Sequence, residues 1–320
     1  IIAPPAAKRM QACRKDTLNM TSPKKLIESV PNFSEGRDAA KIDRLVQPFR
    51  ARDGVRLLDS QSDADHNRTV VTIVGEPEVL RQSLLEAVGA AIDLIDMTQH
   101  QGQHPRMGAV DVVPFIPIRH VSMAETVEFS KQFARELAER YNLPIFLYES
   151  SASSAARRNL AAIRQGEFEG MPTKLQQPEW QPDFGPSRVH PTAGVTAVGA
   201  RMPLIAFNVN LATDSLAIAN DIALKVRHIS GGLRFCKAIG VELKQRGLVQ
   251  VSMNLTDFTK TAVYRALELV RIEARRYGVS VVGSEIVGLV PMQALVDTAV
   301  FYLGLEKFSL DQVLEARLME

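Results

Sequence analysis

Apolar residues return along this chain with two different periods, and the change of period separates strands from helices. Leu26–Ser34, Val55–Ser60 and Arg68–Gly75 are short runs of branched apolar residues bounded by polar turns, which predicts strands. The polar stretch DSQSDADHNR, Asp59 to Arg68, reads as a turn region. Asp38 stands where an N-cap belongs, before a short helix reaching about Phe49. Leu80, Leu84, Val88, Ala91, Ile92 and Ile95 recur at helical spacing and predict a helix from Glu76 to about Ile95.

A strand follows at Ala109–Ile116. Ser122 and Glu125 form a capping box for a helix whose apolar face is Met123, Val127, Ala134, Leu137 and Tyr141. Pro144–Tyr148 then predicts a buried strand. The alternation gives an α/β (α+β) fold class, a mixed or antiparallel sheet covered by helices. Residues 150–200 differ: five prolines interleave with glycines around the only tryptophan, Trp180, and the stretch reads as a functional loop or a linker.

A second unit opens near Met202. Pro203–Leu211 and Val249–Leu255 predict strands, and Val279–Val290 a strand broken by glycines. Asp214 is expected to cap a helix to about Val226, and Asp257 one carrying Val263, Leu267, Val270, Ala274 and Tyr277, with Gly278 past its end. Ser309 and Gln312 suggest a last capped helix. The expected domains are 24–202 and 203–320, with 1–23 an extension lacking periodicity.

Composition narrows the partners. The net charge of +2 misleads, because residues 1–25 carry +5 and leave −3 for the rest. The basic balance belongs to the start of the chain, so nucleic acid is not an expected partner. No apolar run approaches the ~18 residues of a membrane span. Two cysteines, Cys13 and Cys236, make neither a disulfide framework nor a zinc set, and point to a reducing cytoplasm.

Candidate chemistry lies first in HQGQHPRMGAVD, His100 to Asp111. His100 and His104 are four apart, but Gly102 and Pro105 argue against a metal-binding helix, and no third ligand is evident. A structural loop histidine or a general acid/base remain, and imidazole is the side chain suited to moving protons near neutral pH. Arg106 is a candidate for holding an anion. DFGPSRVHPTAG, Asp183 to Gly194, is a stiff loop whose glycines permit close backbone approach. Asn208 and Asn210 share one strand face, as do Ser252 and Asn254; each pair either lines a polar cleft or satisfies a neighbour across the sheet. PNFSEGR (Pro31–Arg37) and DHNRT could together form an anion-holding rim. There is no GxxxxGK[ST], no GxGxxG after a first strand and no GxSxG, so nucleotide hydrolysis, nicotinamide chemistry and serine-hydrolase chemistry lose their usual support.

Taken together, VPNFSEGR, DHNRTVVTIVGEPE, LIDMTQHQGQHPRMGAVDVVPFIPI, LQQPEWQPDFGPS, GARMPLIAFNVNL and GSEIVGLVP resemble the formiminotransferase domain of the glutamate formimidoyltransferase and formiminotransferase-cyclodeaminase family, from about Lys24 to Tyr302. No cyclodeaminase region follows, so the resemblance is to the stand-alone form. It implies two α/β subdomains with a ligand tunnel between them. It also implies formimino transfer from N-formimino-L-glutamate to N5 of tetrahydrofolate, a co-substrate, in histidine degradation. It implies a homodimer; the cytoplasm is expected from the cysteines, and no metal from the make-up of the histidine loop. The family's catalytic histidine matches His104. Its folate-binding loop matches Gly185, Pro186, Ser187, Arg188, Val189, His190, Pro191, Thr192, Ala193 and Gly194. His190 and Ala193 depart from animal sequences, and Gln61 replaces an aspartate there, so an acidic partner is lost or is supplied by Asp63 or Asp65. Beside these we expect Arg68 or Arg106 to hold substrate carboxylates, His100 to assist, and Asn208, Asn210 and Asn254 to line the tunnel. The alternatives are formyl transfer from N-formylglutamate, and a non-catalytic folate-binding protein.

Overall fold

The computed structural model describes residues 24–318. The expectation for residues 1–23 lies outside them. Two sheets carry the architecture. The chain enters through β1 (Leu26–Ser29) and β2 (Asn32–Phe33), then α1 (Ala39–Arg50), β3 (Val55–Asp63), β4 (Arg68–Gly75) and α2 (Pro77–Leu94). It continues through β5 (Val110–Arg119), α3 (Met123–Tyr141) and β6 (Ile145–Glu149). Two short helices, α4 (Leu160–Arg164) and α5 (Glu167–Lys174), precede β7 (Thr196–Ala200).

β1 and β2 are two pieces of one broken strand, both seated between β4 and β5, and β3 forms the outer edge. These pairings are antiparallel. β7 lies between β5 and β6 and runs parallel to both, so the sheet is mixed. Alternation along the strands sends their side chains to two different cores. Val113, Phe115, Leu147 and Val198 meet Leu45, Phe49, Leu84, Val88, Phe133 and Leu137 of α1, α2 and α3. Val112, Phe146 and Ala197 meet Ile163, Met171 and Leu175 on the opposite face, with Trp180 packed against them.

The second sheet is antiparallel throughout. Its strands are β8 (Ile205–Leu211), β9 (Cys236–Leu243), β10 (Leu248–Leu255) and β11 (Val281–Val287), in the order β11-β8-β10-β9. Apolar residues of β8 and β10 share a core with α6 (Leu216–Val226), α7 (Val263–Arg275) and Ala294 of α8 (Met292–Leu303). α9 (Leu314–Leu318) follows.

Several expectations change. The polar stretch after Leu58 is not all turn: β3 continues to Asp63, because an exposed edge strand needs no apolar alternation. Residues 150–200 are not a linker. They cover one face of the first sheet and supply its inner strand β7, whose residues Thr-Ala-Val-Gly-Ala are buried on both faces and too small to signal a strand. β9 and α8 were not anticipated. Ser215, not Asp214, occupies the N-cap of α6. Asp257 caps a separate turn, accepting from Thr259 N and Thr259 Oγ1, while α7 starts at Val263 behind Ala262. Asp38 and the Ser122–Glu125 box cap as expected.

Candidate active site

Three loops that are far apart in sequence are tied together at one end of the first sheet. Asn67, in the left-handed region at φ 48°, is the knot. Its Oδ1 accepts Gly36 N–H at 2.9 Å and its Nδ2 donates to Gln101 O at 3.0 Å. Its carbonyl bonds His100 Nε2 at 3.0 Å. Arg37 Nε donates to Ala64 O at 2.8 Å, and Gln103 N donates to Asp65 O at 3.1 Å. A side chain at Gly102 would place Cβ 2.3 Å from His66 O, so glycine is the residue that lets these loops touch. The PNFSEGR and DHNRT segments, weak signals separately, therefore form one rim with the histidine loop.

The cleft inside this rim is lined by Asn32, Ser34, His66, Asn67, Arg68, His100, His104, Arg106 and Asp111 among others. His104 is half-buried. Burial, then the charges of Arg68 and Arg164, then His66, push its pKa down to about 3. The imidazole is therefore neutral at neutral pH. Asp111 is buried, and faces Arg164 through Oδ2 while its Oδ1 accepts Met107 N–H at 3.0 Å. Arg164 Nε is buried without a partner. Asp111 thus serves Arg164 directly and Arg68 at longer range, Arg68 also feels Asp63, and both arginine charges disfavour a proton on His104.

His100 and Arg106 do different work from His104. Arg106 is buried, and its Nε donates to His100 Nδ1 at 3.2 Å, which fixes the imidazole proton on Nε2, toward Asn67 O. Its other donors reach Glu167, Glu169 and His100 O at 2.7–3.2 Å. The guanidinium is consumed inside the chain.

The loop Gly185–Gly194 is anchored at both ends. Its start is bound to β6 through Ile145 N–H to Phe184 O at 2.9 Å. Its end is held by paired His190–Gly194 backbone bonds of 3.1 Å and by Ala109 N–H to Ala193 O at 2.9 Å. Met97 N–H donates to Thr192 O at 2.8 Å, which links this loop to the histidine loop. Gly185, Ser187, Arg188 and Pro191 are exposed, Pro186, Val189, His190 and Thr192 are half-buried, and Ala193 is buried. His190 Nδ1 accepts Ala193 N–H at 3.0 Å, so that ring is committed to the loop itself. A pocket of about 340 Å³ opens at the loop's start, lined by Arg135, Glu139, Asn142, Phe184, Gly185 and Pro186 among others.

Asn208, Asn210 and Asn254 are not among the residues lining the His104 cleft. They lie on the second sheet. Gln250 Nε2 donates to Asn210 Oδ1 and to Glu285 Oε1, both at 2.8 Å, and Asn208 Nδ2 donates to Glu285 Oε1 at 3.1 Å. Asn254 is exposed. Among the described residues no group of three or more His, Cys, Asp and Glu is placed to hold a metal. Arg164 escaped the sequence reading, because nothing in its irregular surroundings singled it out.

Residues 26–201 match the family described as the formiminotransferase domain, N-terminal subdomain, and residues 206–319 match the formiminotransferase domain. The chain belongs to the formiminotransferase family. Over 92% of its length it is 52% identical to a glutamate formimidoyltransferase of Streptococcus pyogenes serotype M1, covering 99% of that protein. It is 44% identical to a glutamate formimidoyltransferase of Thermoplasma acidophilum, covering 97%. A formimidoyltransferase-cyclodeaminase of Mus musculus is 46% identical, but the match spans only 56% of that longer protein. The formiminotransferase match covers both sheets, so the two-sheet architecture and the histidine loop belong to the same family unit.

Proposed function

We propose that this protein is a transferase that moves the formimino group from N-formimino-L-glutamate to N5 of tetrahydrofolate, releasing L-glutamate, a step of histidine degradation. The observation that carries the reading is a His104 kept neutral by burial and by the charges of Arg68 and Arg164, in a cleft next to an anchored glycine-bearing loop. Tetrahydrofolate supplies an amine nucleophile. His104 takes the N5 proton and returns it to the departing glutamate nitrogen, a role open only to an uncharged imidazole. Arg68 and Arg164 hold a donor carboxylate; Arg106 cannot, because its donors are engaged by Glu167, Glu169 and His100. His100 assists by fixing the loop. The Gly185–Gly194 loop seats folate through its main chain, its exposed span leading from the Phe184 pocket toward the cleft. The polar face carrying Asn208, Asn210 and Asn254 is assigned to the far wall of the tunnel.

We place the enzyme in the cytoplasm as a homodimer. Supporting the dimer, Leu295, Phe301, Tyr302 and Leu303 of α8 stand 45–70% exposed on one short helix. No helix among the described residues is long and apolar enough to cross a membrane. The test is turnover of formiminoglutamate with tetrahydrofolate. His104→Ala is expected to lose about 10²–10⁴-fold in kcat while still binding folate. A folded His104→Ala enzyme with parental turnover would remove His104 from the chemistry.

A further inference from the structure

His66 has no part in the reading above, yet it stands in the same cleft. Its ring lies edge-on to His104 with centroids 6.4 Å apart. Its Nδ1 faces Asp63 Oδ2 at 3.0 Å, and Asp63 Oδ1 accepts the His66 backbone N–H at 2.8 Å. One carboxylate therefore fixes both the ring and the main chain of this residue. With Nδ1–H committed to Asp63, Nε2 is the nitrogen left for proton exchange. The two side chains are 49% and 55% exposed, so the pair is open to solvent. A direct bond between two imidazoles needs ring centroids roughly 5 Å apart; a single bridging water suits the longer separation observed.

The reaction offers such a connection a use. On transfer the N5–C bond forms and the C–N bond to glutamate breaks. One proton passes from N5 to His104 and on to the departing nitrogen, which returns His104 to its starting state. The formimino group is a cationic amidine on both donor and product. The glutamate nitrogen, by contrast, leaves an amidine and becomes an amine, which is protonated at neutral pH. One further proton is therefore taken up in each turnover. His104 is badly placed to collect it from solvent. It is half-buried and feels the charges of Arg68 and Arg164, and Asp111 is already engaged by Arg164. His66, by contrast, is open to solvent and is held in place by Asp63.

Resting on the proposed transfer, we propose that the Asp63–His66 pair is the proton port of the active site, delivering a solvent proton through one water to His104 and the departing glutamate nitrogen. The test is the single-turnover rate of glutamate release against pH for the parent, His66→Gln and Asp63→Asn, with and without added imidazole. His66→Gln is expected to slow release about ten-fold or more. The loss should deepen as pH rises and solvent protons grow scarce, and imidazole should restore the rate. Donor KM and folate affinity should stay at parental values, which a merely structural role would not predict. Asp63→Asn should show the same pattern with a smaller loss. A His66→Gln profile parallel to the parent's, or one that imidazole leaves unchanged, overturns the port. A parent enzyme that releases no glutamate from formiminoglutamate overturns the transfer reading instead.

Discussion

Burial first, and then the positive charge of Arg68 and Arg164, keep the His104 imidazole uncharged. Burial, Arg68 and Arg164 hold its pKa at about 3. That lies below the ordinary 6.5, so the unfolded chain binds this proton first. Stability from this residue is complete above about pH 6.5 and is lost as pH falls toward 3. Under the proposed transfer, a carboxylate arriving at the arginine pair would cancel part of the repulsion, so that donor binding itself would prepare the base. In the free enzyme the His104 ring resonances should keep neutral-form shifts across the neutral range. Adding L-glutamate should move their titration upward. Arg164→Gln should abolish that movement and raise donor KM about 10- to 100-fold, the worth of a charge-assisted hydrogen bond of roughly 1.5–3 kcal/mol. Glutamate that leaves the titration in place would remove the pair from carboxylate binding.

At the scale of elements, the site is built where the parallel strands begin. The histidine loop enters β5, the Pro144 turn enters β6 and the end of the Gly185–Gly194 loop enters β7. Their adjacency in the sheet is what places the two loops side by side. Gly194 has φ +73°, and a Cβ there would lie 2.3 Å from Met107 O. Gly194→Ala should destabilise the protein by about 1–3 kcal/mol. Its folate affinity should fall as well, because the strain is relieved by moving one loop off the other. Denaturant unfolding and folate titration together check this, and an alanine variant with parental folate affinity would disconnect the loop junction from binding. Histidine loop, glycine loop and rim segments were all legible in the sequence, because special backbone shapes demand glycine, proline and asparagine at fixed places. β7 was not legible, since its small residues acquire a strand's character only between β5 and β6. Nor was the fate of Arg106: an arginine beside a histidine reads as an anion holder until Glu167 and Glu169, some sixty residues on, are seen to consume it.

For the whole molecule, exposed apolar side chains concentrate on the second unit. Ile229, Phe301, Tyr302, Leu303, Leu314 and Leu318 all belong to it. Tyr264 stacks on Phe301 at 4.3 Å between ring centroids, which stiffens part of that surface. A homodimer covering α8 predicts that Leu303→Asp shifts the sedimentation velocity from dimer to monomer at equal protein concentration. Parental sedimentation of the variant would move the interface elsewhere.

The sequence by itself determined the helices of the first unit with one apolar face, α1 to α3, the caps at Asp38 and Ser122, and which loops were candidates for chemistry. Periodicity and capping are local properties, settled within a few residues. It also carried the formiminotransferase resemblance, because the loop motifs are contiguous and specific. Only the tertiary structure decided that residues 150–200 complete the first sheet, that Asn208 and Asn210 pair with Gln250 and Glu285, and that Arg164, Asp111 and His66 join His104. Those outcomes depend on which distant segments share a sheet edge or a cleft, and charge and hydrogen bonding between them exist only once the chain has brought them within a few ångströms.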